Sequence, residues 1–104
     1  MTRKAFKMKL FRNKVQEYTQ RHNPIWPELE DTLKKHGVTN YSIFLDSDTD
    51  TLFGYAEIES EEKWNAIAET TICKKWWAYM GDLMDTHDDN SPVSKELKSV
   101  FYMP

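Results

Sequence analysis

The sequence predicts an α+β subunit: a four-stranded antiparallel sheet with helices on one face, in the order β-α-β-β-α-β. Three observations predict it. Short stretches with period-two alternation recur along the chain. Two regions with helical spacing separate them. The chain has 104 residues, enough for one domain, residues 1–104, and one modest core.

The first strand is Arg3–Leu10, where Phe6, Met8 and Leu10 fall on one face and Ala5, Lys7 and Lys9 on the other. A helical stripe follows through Val15, Tyr18, His22, Trp26, Leu29 and Leu33, and Gly37 ends it. Asn23-Pro24 and Pro27 interrupt that stripe. Asn23 is suited to cap a restarted helix with Pro24 at its first position. Asn40–Asp46 alternates again, with Tyr41, Ile43 and Leu45 on one side, and Asp46–Asp50 has the composition of a turn. Thr51–Glu59 is the second arm of that hairpin. Ser60 caps a helix whose first turn carries Glu61 and Glu62. Thr70 and Thr71 cap a further helical run, Ile72 to Met84. Asp85–Pro92 is a polar loop, and the stretch from Glu96 to Met103 reads as the last strand. This order is the ferredoxin-like arrangement. Tyr, Phe and Met occur on both sides of the strands, so the face away from the helices is expected to meet another subunit.

Composition excludes several classes of function. Fourteen basic and seventeen acidic residues leave a net charge of −3, which argues against nucleic acid as the main partner. No apolar run approaches the ~18 residues of a membrane span. The first ten residues lack the apolar stretch of a secretory signal. Cys73 stands alone, which excludes an intramolecular disulfide and fits a reducing, cytoplasmic compartment. No glycine-rich phosphate loop occurs. His87, Asp88, Asp89 and Asn90 match no defined metal-binding spacing, so they read as a solvated acidic loop and no metal is expected there.

Two stretches carry chemistry. Tyr18 and His22 are four residues apart and share a helix face that continues as the buried stripe. Two readings of His22 stand: a core histidine with satisfied nitrogens, or a general acid or base lining a pocket. The helix break directly after it can open room for such a pocket. The second stretch is Lys74–Met80, with Trp76 and Trp77 adjacent. Consecutive residues point about 100° apart on a helix. Both indoles can serve a wide core stripe, or one can offer a flat wall to a sugar.

The segments "RKAF", "EYTQRHNPIWPELE", "NY", "WW", "NSPVS" and the ending "VFYMP" together resemble the L-rhamnose mutarotase family over nearly the whole chain. That resemblance implies a ferredoxin-like subunit that pairs through its sheets into a dimeric α/β barrel. It implies an isomerase, working without metal or organic cofactor, that interconverts the α and β anomers of L-rhamnose. It implies His22 as proton donor, and Tyr18, Tyr41, Trp76 and Trp77 as substrate-binding residues. "FRNKV" (Phe11–Val15) and the turn at Asp46–Asp50 depart from the family pattern, and neither carries a family site residue. Two rival classes share the fold's possibilities: a small dimeric α/β-barrel oxygenase and a non-catalytic sugar-binding module.

Overall fold

The computed structural model describes residues 1–104. Its elements run β1 (Thr2–Lys9), α1 (Val15–Arg21), α2 (Pro27–Lys35), β2 (Thr39–Asp46), β3 (Thr51–Ile58), α3 (Glu61–Ile67), α4 (Thr71–Met80) and β4 (Ser94–Glu96). The four strands form one antiparallel sheet in the order β2-β3-β1-β4, as the ferredoxin-like reading requires.

Alternation decides which face of the sheet is buried. Phe6 and Met8 of β1 turn toward the helices, as do Leu52, Ala56 and Ile58 of β3, and all five are buried. With Tyr18, Leu29, Trp76, Met80, Leu83 and Met84 they supply most of two adjoining apolar clusters beneath α1, α2 and α4. The opposite face splits by strand. Lys7 and Lys9 stand on β1, while β2 and β3 present the opposed pair Phe44 and Phe53, with Tyr55 beside them. Phe44 is 69% exposed. At Phe44 and Phe53 that face keeps exposed apolar surface.

Three local outcomes differ from the sequence reading. First, the helix restarts at Pro27, with Trp26 at the N-cap, rather than at Pro24. The missing N–H of proline costs nothing at the first helical position. Asn23 is instead occupied in closing α1: its side-chain amide donates to the Thr19 carbonyl at 2.8 Å. Second, α4 ends at Met80, short of Met84, with Gly81 and Asp82 following, although Leu83 and Met84 remain buried in the core. Third, the last strand is Ser94–Glu96, ahead of the expected stretch. It pairs with Phe6–Met8, and one further bond runs from the Leu97 N–H to the Ala5 carbonyl. Val100 to Met103 follow as exposed, irregular chain. The Arg3 guanidinium lies 3.6 Å from the centre of the Tyr102 ring.

The helix starts behave as expected elsewhere. The Ser60 hydroxyl accepts from the Lys63 N–H at 3.1 Å, and the Thr70 hydroxyl from the Cys73 N–H at 3.3 Å. Gly37 has φ +80 after α2, the left-handed conformation that a C′ position favours.

Candidate functional site

The site is built around the end of α1. Tyr18 is buried on this helix, and His22, its half-buried C-cap residue, stands one turn further on. Their rings lie 4.4 Å apart, centre to centre, tilted by 31°. His22 Nδ1 sits 2.8 Å from the Tyr18 carbonyl oxygen. A carbonyl oxygen only accepts, so Nδ1 carries the proton and Nε2 is left to act on whatever occupies the site. Burial lowers the His22 pKa from its ordinary value, and the bond to the Tyr18 carbonyl partly offsets that.

His36 makes the same backbone bond, Nδ1 to the Thr32 carbonyl at 2.7 Å, at the end of α2. The bond therefore marks a helix end and not a function. What separates the two histidines is the space beside them. His22 lines a cavity of about 690 Å³; His36 does not.

Tyr18, His22, Tyr41, Trp76 and Trp77 all line that one cavity. Tyr41 reaches it by the alternation of β2, which puts it on the helix side with Ile43 and Leu45, while Ser42 and Phe44 face away. Pairing shifts by one residue between Thr39 and Ser42, where Asn40 adopts φ +49, and this bulge turns Thr39 to the outer face. The Tyr41 ring meets Phe6 at 6.2 Å and Trp64 at 6.0 Å. Desolvation raises the phenol of buried Tyr18, and also that of Tyr41, which keeps 38% of its surface exposed; both are protonated at neutral pH, as an ordinary tyrosine is, and act as hydrogen-bonding groups. Trp76 stands edge-on to His22 at 5.1 Å and to Trp26 at 5.0 Å. Trp77 is half-buried and packs against both core clusters.

The cavity also takes in Trp64 and Asn65 of α3, Asn23, and Cys73 of α4, none of which sequence reasoning placed in a site. Trp64 was legible only as part of an apolar helical stripe, which is also how a pocket wall reads. The Cys73 thiol is pushed up to about 11 by burial, which suits an apolar wall and not a nucleophile. Nineteen of the twenty-five lining residues are hydrophobic, so the few polar groups that converge there set the orientation of a ligand. No three His, Cys, Asp or Glu side chains converge anywhere in the chain as a metal-binding group. In the Asp85–Pro92 loop, Asp89 instead accepts from the backbone and hydroxyl of Ser91. No helix is long and apolar enough to cross a membrane.

The chain is similar to proteins of one family over its whole length. A protein from Tolumonas auensis named L-rhamnose mutarotase is 62% identical over 103 residues, covering 99% of each chain. The crystal structure of an L-rhamnose mutarotase from Formosa agariphila superposes with a TM-score of 0.92 at 46% identity, covering 100% of both chains. A putative antibiotic biosynthesis monooxygenase from Nitrosomonas europaea superposes at 0.64 with 13% identity, a likeness of fold alone. The model of the family described as L-rhamnose mutarotase matches residues 3–103, and the chain belongs to that family.

Proposed function

We propose that the protein interconverts the α and β anomers of L-rhamnose by acid–base opening and reclosure of the pyranose ring, with His22 as the proton donor. The observation that carries this reading is the place of His22 on the cavity that Tyr18, Tyr41, Trp76 and Trp77 share. With Nδ1 engaged by the Tyr18 carbonyl, Nε2 is the nitrogen left to exchange a proton, donating it from the imidazolium form.

Opening needs a proton on the ring oxygen and loss of one from the anomeric hydroxyl. The C1–O5 bond breaks and C1–O1 becomes a carbonyl. Rotation about C1–C2 presents the other face of that carbonyl. O5 then re-attacks, its proton returns to the donor, and O1 is protonated again. A single imidazole serves O5 in both directions, since it gives the proton on opening and recovers it on closing. The proton from O1 passes to a water or a backbone carbonyl. Tyr18 and Tyr41 are poor bases at neutral pH, since a phenol titrates at about 10 and desolvation raises both further, so they orient sugar hydroxyls. Trp76 and Trp77 supply apolar faces for the ring C–H groups and the 6-methyl group. Nothing in this sequence of steps requires redox or hydrolytic chemistry.

Saturation-transfer NMR on pure protein and L-rhamnose tests the reading. Exchange between anomers faster than background is expected, and it persists when chelator is added. Binding of the sugar without faster exchange would make the protein a sugar-binding module instead.

The working unit in this reading is a two-fold homodimer in the cytoplasm. Its support is the exposed apolar surface of Phe44 and Phe53 on the outer face of the sheet. An isologous pair is the commonest way to cover such a face. Light scattering at micromolar concentration is expected to return about twice the 12.4 kDa chain mass; a species of 12.4 kDa rules the dimer out.

A further inference from the structure

Arg21 is the residue before His22, and its guanidinium leaves its own helix. Helix α4 has no basic residue in its last turn, so its terminal carbonyls lack a cation from their own segment. Arg21 supplies one from α1. Its Nη1 donates to the Tyr79 carbonyl at 2.6 Å and to Asp82 Oδ1 at 2.9 Å, and Nη2 reaches Asp82 Oδ2 at 3.4 Å. Glu17, one turn back on α1, lies 3.5 Å away. The guanidinium also sits 4.4 Å from the centre of the Tyr79 ring. The side chain is only 13% exposed, and its Nε is buried without a hydrogen-bond partner. An unmade buried N–H is unfavourable, so the other contacts hold the group where it is.

Those contacts close a circuit through the site. Tyr79 stacks on Trp26 at 5.2 Å, Trp26 meets Trp76 at 5.0 Å, and Trp76 meets His22 at 5.1 Å. The two helices that carry the proton donor and the indole wall are thus tied together at Arg21, one residue from the donor.

We propose that Arg21 is a positioning residue for the mutarotase reaction: by tying the end of α4 to α1 it fixes the Trp76 indole relative to the His22 imidazole. This rests on the reading of His22 as proton donor. A proton donor must meet the ring oxygen within hydrogen-bond reach, and a misplacement of about 1 Å costs up to roughly 10²-fold in rate. A residue that only stabilises the helix end would change the melting temperature and leave the rate per folded molecule alone.

The test is a double-mutant cycle read by anomer-exchange NMR, with thermal melts alongside. Arg21→Met keeps the length of the stem and its packing on Tyr79 while removing every donor. It is expected to lower kcat by roughly tenfold or more, with a smaller change in KM, at a temperature where the protein is folded. Arg21→Lys is expected to recover part of that loss, since an ammonium can serve the Tyr79 carbonyl but cannot grip Asp82 with two parallel bonds. In a His22→Ala background, Arg21→Met is expected to add little, because the group it positions is gone. Should Arg21→Met fail to fold, Asp82→Asn, which leaves the Tyr79 bond in place, is expected to show a smaller kcat loss of the same pattern. A wild-type kcat in the folded variant, or an equal fractional loss in both backgrounds, overturns the proposal while leaving the role of His22 standing. Near wild-type exchange in His22→Ala alone overturns the reading of His22 and this proposal with it.

Discussion

His22→Ala is expected to lose roughly 10²–10⁴-fold in kcat for anomer exchange, the usual contribution of a positioned proton donor. The ring is half-buried and makes a bond to the Tyr18 carbonyl, so the substitution also removes packing and a helix-end bond. A thermal melt of the variant is therefore part of the measurement. Trp77→Phe is expected to behave differently. A stacking wall acts on ground and transition states alike, so its loss raises KM with little change in kcat. A pH profile adds a third reading. Burial lowers the His22 pKa below the ordinary histidine value, so the protonated donor is lost as pH rises through that lowered value. The His22-dependent part of kcat/KM is expected to decline with rising pH above it, and the decline is absent in His22→Ala. A folded His22→Ala protein with near wild-type exchange would return the imidazole to the role His36 plays, that of a helix-end group.

Gly54→Ala is expected to have the largest effect on stability. Gly54 pairs with Phe6 across β3 and β1, and the Cζ end of the Phe6 ring lies against it. A Cβ built on Gly54 would stand 2.4 Å from Phe6 Cζ and 2.5 Å from Cε2. Those distances are far inside van der Waals contact, so the ring must leave its place. Phe6 is buried, and its ring touches Tyr41 at 6.2 Å and Trp64 at 5.9 Å, both on the cavity wall. Overpacking of this kind typically costs about 1–3 kcal/mol. For a domain of this size that is a drop of roughly 4–8 °C in Tm for each kcal/mol. The displaced ring also pushes on Tyr41, so KM for rhamnose is expected to rise in the same variant. A melting temperature and KM equal to wild type would show that the sheet can shift to admit a methyl group.

The positions that the sequence could not place are instructive. The residues Tyr18 and His22 were legible as neighbours because a helix sets their spacing by itself. Tyr41 was legible as an inward residue of a strand. Its arrival in the same cavity was not, since that depends on β2 pairing with β3 at the sheet edge and on the helices that cover that face. The prolines after His22 were legible as a break, but not the restart at Pro27, because Asn23 had a competing partner in the Thr19 carbonyl. The last strand was misplaced for a different reason. Glu96 to Met103 has the composition of a strand, yet β1 offers pairing only opposite Phe6–Met8, with a single further bond at Ala5.

By itself the sequence determined what local geometry and composition determine. The element order, the caps at Ser60 and Thr70, the left-handed Gly37 and the shared face of Tyr18 and His22 all follow from spacings of a few residues. The family resemblance, carried by the same short motifs, named the chemistry. Only the tertiary structure decided which of those elements share a cavity. It brought Tyr41, Trp76 and Trp77 to His22 from two other segments, distinguished His22 from His36 by the space beside each, and joined Arg21 to Asp82 across sixty-one positions of chain. Those relations depend on side chains packing together over long separations, where no periodicity in the sequence records the partner.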